Sequence, residues 1–278
     1  MTLKQKTLVL DDGFRVGVLE GGEGFPLVFL HGLSVSASAY EEMLDILAED
    51  FRVIALDAAN HGRTGSLPWG HSIEDMTEVT LRALDALDVH GAIFVGHSMG
   101  GGMVVEIAAR FPDRVLAAIL MDAAVGEEHH EATKVGNYLT LGWRAAQKLS
   151  GAFIDVVGDT YEAMKIRDAS ERLSLLETLR SSVHGFRFAR VAIALMNVDT
   201  VPLLKAMKRQ GVATAIIHGL HDQIVPYSAG VSSAKLTSAV FYAVDGYHSW
   251  MLADPEMAAD MIGLALLDLY PRRYVMGI

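Results

Sequence analysis

The stretch Gly96-His97-Ser98-Met99-Gly100-Gly101 constrains this chain more than any other. It follows the apolar run Ala92-Ile93-Phe94-Val95 without a break and leads into residues with helical spacing, Met99 to Arg110. Glycines cost backbone entropy, and a histidine and a serine bring polar atoms that need partners, so a packed core gains nothing from them here. The pattern G-x-S-x-G between a strand and a helix is that of a turn that reverses sharply and lifts its serine above a sheet. Side chains two residues to either side of the serine would meet neighbouring chain, so glycine there is a steric need. The helix start behind the serine offers unpaired N–H groups and the positive end of a dipole to any negative charge forming nearby.

Such a turn needs a parallel sheet around it, and the rest of the chain supplies the strands. Thr7–Leu10 and Arg15–Leu19 flank Asp11-Asp12-Gly13, a hairpin signal. Residues 26–32, 52–58, 91–98 and 115–124 are short apolar runs, separated by the helical patterns of Tyr40–Ala48, of residues after Ser72, and of Met99–Arg110. Ser72 reads as an N-cap with Asp75 three residues on, and Ile73, Met76, Thr80, Leu84 and Leu87 mark one helical face. Strands buried on both faces and alternating with helices predict a mostly parallel, doubly wound sheet. From Val125 to Gln210 only helical periodicity remains. The alternation resumes with residues 212–222, a helix near Tyr227–Leu236, a strand at 238–246 and a last helix from Pro255 to Tyr270. The expected organisation is an α/β core of residues 1–124 and 211–278, with helices 125–210 inserted between two strands of one sheet.

With 278 residues, 51% of them hydrophobic, the chain can bury a sizeable core. A net charge of −11 argues against nucleic acid or an anionic membrane as partner, since both select basic patches. The absence of cysteine excludes disulfides, thiolate catalysis and cysteine-bound zinc. No run approaches the roughly eighteen apolar residues of a membrane span, and the first residues lack an apolar leader, so a cytoplasmic location is expected.

A serine hydroxyl is a weak nucleophile until a base takes its proton, and the base needs an orienting group. Of the 11 histidines, His248 lies just past the last strand run, in Val244-Asp245-Gly246-Tyr247-His248-Ser249. Asp222 stands in Gly219-Leu220-His221-Asp222-Gln223-Ile224-Val225-Pro226, again past a strand. Loops at the carboxyl edge of a parallel sheet open on one side, so Ser98, Asp222 and His248 are expected to meet.

These segments make the chain resemble the α/β-hydrolase fold family over roughly residues 7–124 and 212–270. Phe29-Leu30-His31-Gly32-Leu33 is similar to the family's oxyanion loop, GHSMGG to its serine turn, HGLHDQIVP to its acid loop and GYHSW to its histidine loop. The resemblance implies the order Ser98, Asp222, His248, with oxyanion N–H groups from Leu33 and Met99 and a helical cap at 125–210. It implies no cofactor and no metal. Members with such motifs are mostly esterases and lactone hydrolases, so cleavage of a carboxylic ester or lactone of a small, largely apolar molecule is the leading expectation. Cofactor-free haloperoxidase or perhydrolase activity and carbon–carbon bond hydrolysis are the alternatives on the same triad. A ligand receptor that keeps the triad is an alternative of another class.

Asp122, at the end of residues 115–124, is a rival acid, because some members carry theirs after that strand. Asn60 departs from the pattern, standing in Asp57–Ser66 where the family has a glycine. His97 should face away from the serine's side by strand alternation, and His31 should hold its own loop. Glu127-Glu128-His129-His130-Glu131 lacks the i, i+4 histidine pairing of zinc helices and reads as a solvated face. Trp143, Phe153, Phe186, Phe188 and Met196 could line a pocket or pack helix on helix.

Overall fold

The computed structural model describes residues 3–270 apart from 34, 134–187 and 197. Its strands are β1 (Lys4–Val9), β2 (Arg15–Gly21), β3 (Pro26–Leu30), β4 (Arg52–Leu56), β5 (Ala92–His97), β6 (Val115–Met121), β7 (Thr214–Gly219) and β8 (Val240–Val244). They form one sheet in the order β1-β2-β4-β3-β5-β6-β7-β8. The β1–β2 and β2–β4 pairs are antiparallel and every later pair is parallel. The first two strands therefore form an antiparallel flank, joined through Gly13 at φ +83°.

The helices are α1 (Glu41–Leu47), α2 (Ile73–Ala86), α3 (Met99–Arg110), α4 (Glu127–Thr133), α5 (Phe188–Met196), α6 (Val201–Gln210), α7 (Tyr227–Thr237), α8 (Trp250–Ala253) and α9 (Pro255–Leu269). Alternation along each strand divides the core in two. Phe94 and Leu120 face one side with Met76, Leu84 and Val104 of α2 and α3. Ile93, Val95 and Ile119 face the other with Met43, Leu44 and Ile262 of α1 and α9. Both faces are covered, which is why β5 and β7 are buried along their whole length. The start of α2 carries both halves of the expected capping box. Ser72 Oγ accepts from Asp75 N at 3.1 Å, and Ser72 N donates to Asp75 Oδ2 at 2.7 Å. Such a cap contributes about 1 kcal/mol.

Of the stretch read as inserted helices, 134–187 lies outside the described residues, and Trp143, Phe153 and Phe186 with it; the side chains of Phe188 and Met196 are likewise outside the description. At its flanks, α4, α5 and α6 are helical. Leu204 and Met207 of α6 are fully buried in the cluster that also holds α3.

The loop after β4 absorbs the departure at Asn60. That residue has φ +68°, a left-handed conformation that asparagine tolerates better than most residues. The buried Asp57 beside it accepts from Ala37 N at 3.0 Å and from Arg63 N at 2.9 Å. At Gly62, also at positive φ, a Cβ would lie 2.1 Å from Asp57 Oδ2, so glycine is required there.

Strand order reverses at β3: β4 pairs on one side of it and β5 on the other. Crevices outside the carboxyl ends of strands at such a reversal are where open α/β sheets bind ligands. The loops after β3 and β5, carrying Leu33 and Ser98, flank that point.

Candidate active site

Ser98 joins β5 to α3 at φ +53° and ψ −116°. A non-glycine residue held there stores strain of about 1–3 kcal/mol, which persists only where the surroundings enforce it. The surroundings are tight. A Cβ on Gly96 would come 2.5 Å from Gly100 O, and one on Gly100 would come 2.0 Å from Leu30 O. Backbone bonds pin the turn to β6 and the residues after it: Ser98 N donates to Met121 O and Ala124 N donates to Ser98 O, each at 3.0 Å.

His248 arrives from the loop after β8. Its Nε2 lies 2.9 Å from Ser98 Oγ and its Nδ1 lies 2.8 Å from Asp222 Oδ2. A carboxylate only accepts, so Nδ1 carries the proton and Nε2 is left to accept from the serine hydroxyl. Asp222 is held by its own loop, where Oδ1 accepts from Ile224 N and Val225 N, both at 2.8 Å. Burial opposes ionisation of Asp222, but the charges and hydrogen bonds of His248 and His218 outweigh it and keep the carboxyl well below the usual range. All members of this trio are buried, yet they come from positions as far apart in sequence as 98 and 248.

Asp122, the rival acid, does not meet His248. Its backbone sits at φ +43°, and its oxygens accept from Gly219 N at 2.8 Å and Trp250 Nε1 at 2.6 Å. It ties β6 to the start of the acid loop and to α8, which follows the histidine loop. Burial pushes its carboxyl up to about 7 and the charge of Asp222 adds to the shift, while His218 opposes it.

Leu33 is half-buried after β3, and Met99 is the buried first residue of α3. Met99 follows Ser98 directly, at the N-terminus of α3. His31 holds its loop as read from the sequence. Its Nδ1 bonds Gly32 O at 2.8 Å and its Nε2 accepts from Ala58 N at 2.9 Å.

Sequence reasoning assigned no role to His218. Its Nε2 lies 3.4 Å from Asp222 Oδ2, the oxygen that also meets His248, and 3.1 Å from Val225 O. Asp122, His218 and Asp222 form the group among the described residues whose donor atoms lie within 4.8 Å of one another. Asp222 is engaged with His248, Asp122 with Gly219 and Trp250, and His218 Nε2 with Val225 O, so Asp122 and His218 buttress the acid of the trio. No local pattern marks the cluster, because Asp122 reaches the other two only through the pairing of β6 with β7. The acidic, histidine-containing stretch at 127–131 forms α4.

A mostly parallel sheet, a strained serine at a strand-to-helix turn and a His–Asp pair from later loops define an α/β hydrolase. The chain belongs to this family: the family's sequence model, described as alpha/beta hydrolase fold, matches residues 26–255. It is 70% identical over 99% of both chains to a putative non-heme haloperoxidase of Mycobacterium phage D29. It is 29% identical to the bifunctional esterase/perhydrolase DCH of Acinetobacter calcoaceticus, over 78% of this chain and 82% of that one. Among solved structures, a bromoperoxidase from Bacillus anthracis superimposes with a TM-score of 0.75 at 21% identity, covering 95% of this chain and 99% of the other. At that identity the superposition speaks for the fold alone. No helix among the described residues is long and apolar enough to cross a membrane.

Proposed function

We propose that this chain is a serine acyl-transfer enzyme of the perhydrolase and haloperoxidase kind, whose acyl-serine passes its acyl group to hydrogen peroxide as well as to water. The observation that carries the reading is His248, placed within 2.9 Å of Ser98 Oγ and 2.8 Å of Asp222 Oδ2. The choice of peroxide as an acceptor draws support from the haloperoxidase name of the 70% identical relative and the esterase/perhydrolase name of the more distant one. The reading expected first from the sequence, an ester or lactone hydrolase alone, is the water branch of the same scheme.

Ser98 Oγ attacks the carbonyl carbon of a small ester while His248 Nε2 takes the hydroxyl proton. The oxyanion of the tetrahedral intermediate is received by the N–H groups of Leu33 and Met99, each such donor being worth about 3–4 kcal/mol. His248 returns the proton to the leaving alcohol, and the acyl group stays on Ser98. Hydrogen peroxide then gives one proton to His248 and its hydroperoxide oxygen to the acyl carbon. Ser98 leaves and regains the proton, and a peroxycarboxylic acid is released. Halide attacks the terminal peroxide oxygen of that acid in solution, giving hypohalous acid and carboxylate. Asp222 keeps the histidine in its productive tautomer and stabilises the imidazolium. A net charge of −11 favours a neutral, largely apolar acyl donor. The resemblance to the family supports a cap role for 125–210.

The test is a peroxide titration at constant p-nitrophenyl acetate, following p-nitrophenol and peracid separately. Peracid is expected to rise with peroxide at the expense of acetate, and to vanish with Ser98→Ala. Steady ester hydrolysis with no peracid at any peroxide concentration would overturn the peroxide branch and leave a plain esterase.

The pH profile is a second expectation. Asp222 stays ionised throughout the working range, so only the base titrates within the trio. Activity should rise with pH as the imidazole of His248 loses its proton, with a limb at about pH 6–7.5. A profile flat from about pH 5 to 9 under conditions where acylation limits the rate would rule out a histidine base.

A further inference from the structure

We infer that Tyr40 and His97 are positioning residues that brace the oxyanion loop against the loop carrying His248, so that donor and base keep one spacing. The inference uses the triad reading for its kinetic test and does not depend on which acceptor takes the acyl group.

His97 ends β5, one residue before Ser98, and so turns its ring away from the serine. Its Nε2 lies 2.8 Å from the carbonyl oxygen of His248, and its Nδ1 lies 2.7 Å from Tyr40 Oη. Tyr40 Oη in turn accepts from Gly32 N at 3.3 Å, in the turn between β3 and Leu33. The proton directions follow from chemistry alone. A carbonyl only accepts, so His97 Nε2 carries the proton; its Nδ1 must accept, so the tyrosine hydroxyl donates to it; the hydroxyl oxygen is then free to take Gly32 N–H. Each bond in the row has a donor and an acceptor, and the row runs unbroken from one loop of the site to the other.

Packing makes the row stiff. The rings of His97 and His248 are 4.9 Å apart, those of Tyr40 and His97 5.7 Å, and those of Phe29 and Tyr40 4.7 Å. Tyr40 is 2% exposed and His97 3%. At Gly32 a Cβ would lie 2.8 Å from His97 Nδ1 and 3.3 Å from Tyr40 Oη, so the oxyanion loop is seated directly on the pair. Burial, and after it the neighbouring His248, push His97 down to about 3, and burial pushes the Tyr40 hydroxyl up. The same proton arrangement therefore persists across the working pH range. His97 meets the carbonyl and the ring of His248, so its effect is expected on the rate of acylation and not on binding.

His97→Phe keeps a ring in place but removes both hydrogen bonds. It should lower kcat for p-nitrophenyl acetate by about 10–100-fold with KM within about threefold, the size expected for a base displaced by a fraction of an ångström to 1 Å. His97→Gln retains an N–H donor for the His248 carbonyl and should recover most of the loss. Tyr40→Phe should cost less alone, and add nothing when combined with His97→Phe. Independently of turnover, the downfield proton resonance of His248 Nδ1–H should shift or broaden in His97→Phe and return in His97→Gln. An unaltered resonance and wild-type kcat in a folded His97→Phe would overturn the inference. So would equal impairment of the Gln and Phe variants, or fully multiplicative losses in the double variant. If wild-type protein neither hydrolyses the ester nor reacts with a phosphonate, the triad reading falls, and the resonance alone decides whether the brace exists.

Discussion

Ser98→Ala should lower kcat by about 10⁶-fold while leaving the fold intact. The loss is large because the hydroxyl forms the covalent bond, and His248 has no other group to deprotonate at that point. Stability should change little. Alanine and serine share a Cβ, so both bear the same strain at φ +53°, and the deleted bond to His248 contributes only about 1 kcal/mol. Thermal melting of both proteins, with mass spectrometry after a phosphonate reagent, checks this. Wild type should gain a single label at Ser98 and the variant none. A variant turning over near the wild-type rate would remove the acyl-serine from the mechanism.

Asp222→Asn and Asp122→Asn should diverge sharply. At 222 the backbone donors of Ile224 and Val225 both point at one side-chain oxygen. An asparagine there keeps its carbonyl on them and turns its amide N–H₂ toward His248 Nδ1. The imidazole must then accept at Nδ1 and carry its proton on Nε2, where it cannot receive the serine's. Losses of up to about 10⁴ in kcat are expected, with KM little changed. At 122 the two oxygens take two different donors, Gly219 N and Trp250 Nε1. An asparagine satisfies one and sets its own N–H₂ against the other, leaving buried donors facing each other. That costs about 1–3 kcal/mol of stability, and kcat should stay within about tenfold. Asp122→Asn also separates two groups expected to titrate near neutrality. The rising limb of the pH profile should survive it, because the limb belongs to His248. Steady-state kinetics, melting curves and pH profiles of both variants decide the assignment, and the reverse ranking would move the acid to β6.

Much of this was legible in the residues themselves. The strand-to-helix turn at Ser98, the helix Met99–Arg110, the capping box of Ser72 and Asp75 and the resumption of strands after residue 211 are all local patterns. Periodicity and turn chemistry act over a few residues, so a sequence displays them directly. Even the departure at Asn60 was visible, and the structure shows why the loop accepts it: asparagine holds the positive φ that glycine would have held.

By itself, then, the sequence determined the class of sheet, the serine at the end of β5, and histidine and acid candidates at the ends of later strands. For the acid, the sequence put Asp222 first on the likeness of its loop, and the tertiary structure decided why Asp122 does not take that place. Asp122 and Asp222 follow strands that lie side by side, and the direction of each side chain depends on a turn conformation, φ +43° in one and an Asx-type loop in the other, that no local pattern announces. The same holds for His218 beneath the acid and for the row from Gly32 through Tyr40 and His97 to His248. His97 and His248 are 151 residues apart in the chain, and they meet because sheet register places the end of β5 beneath the loop that leaves β8. Contacts of that kind arise from register and packing across the whole sheet, and so become visible only once the sheet is assembled.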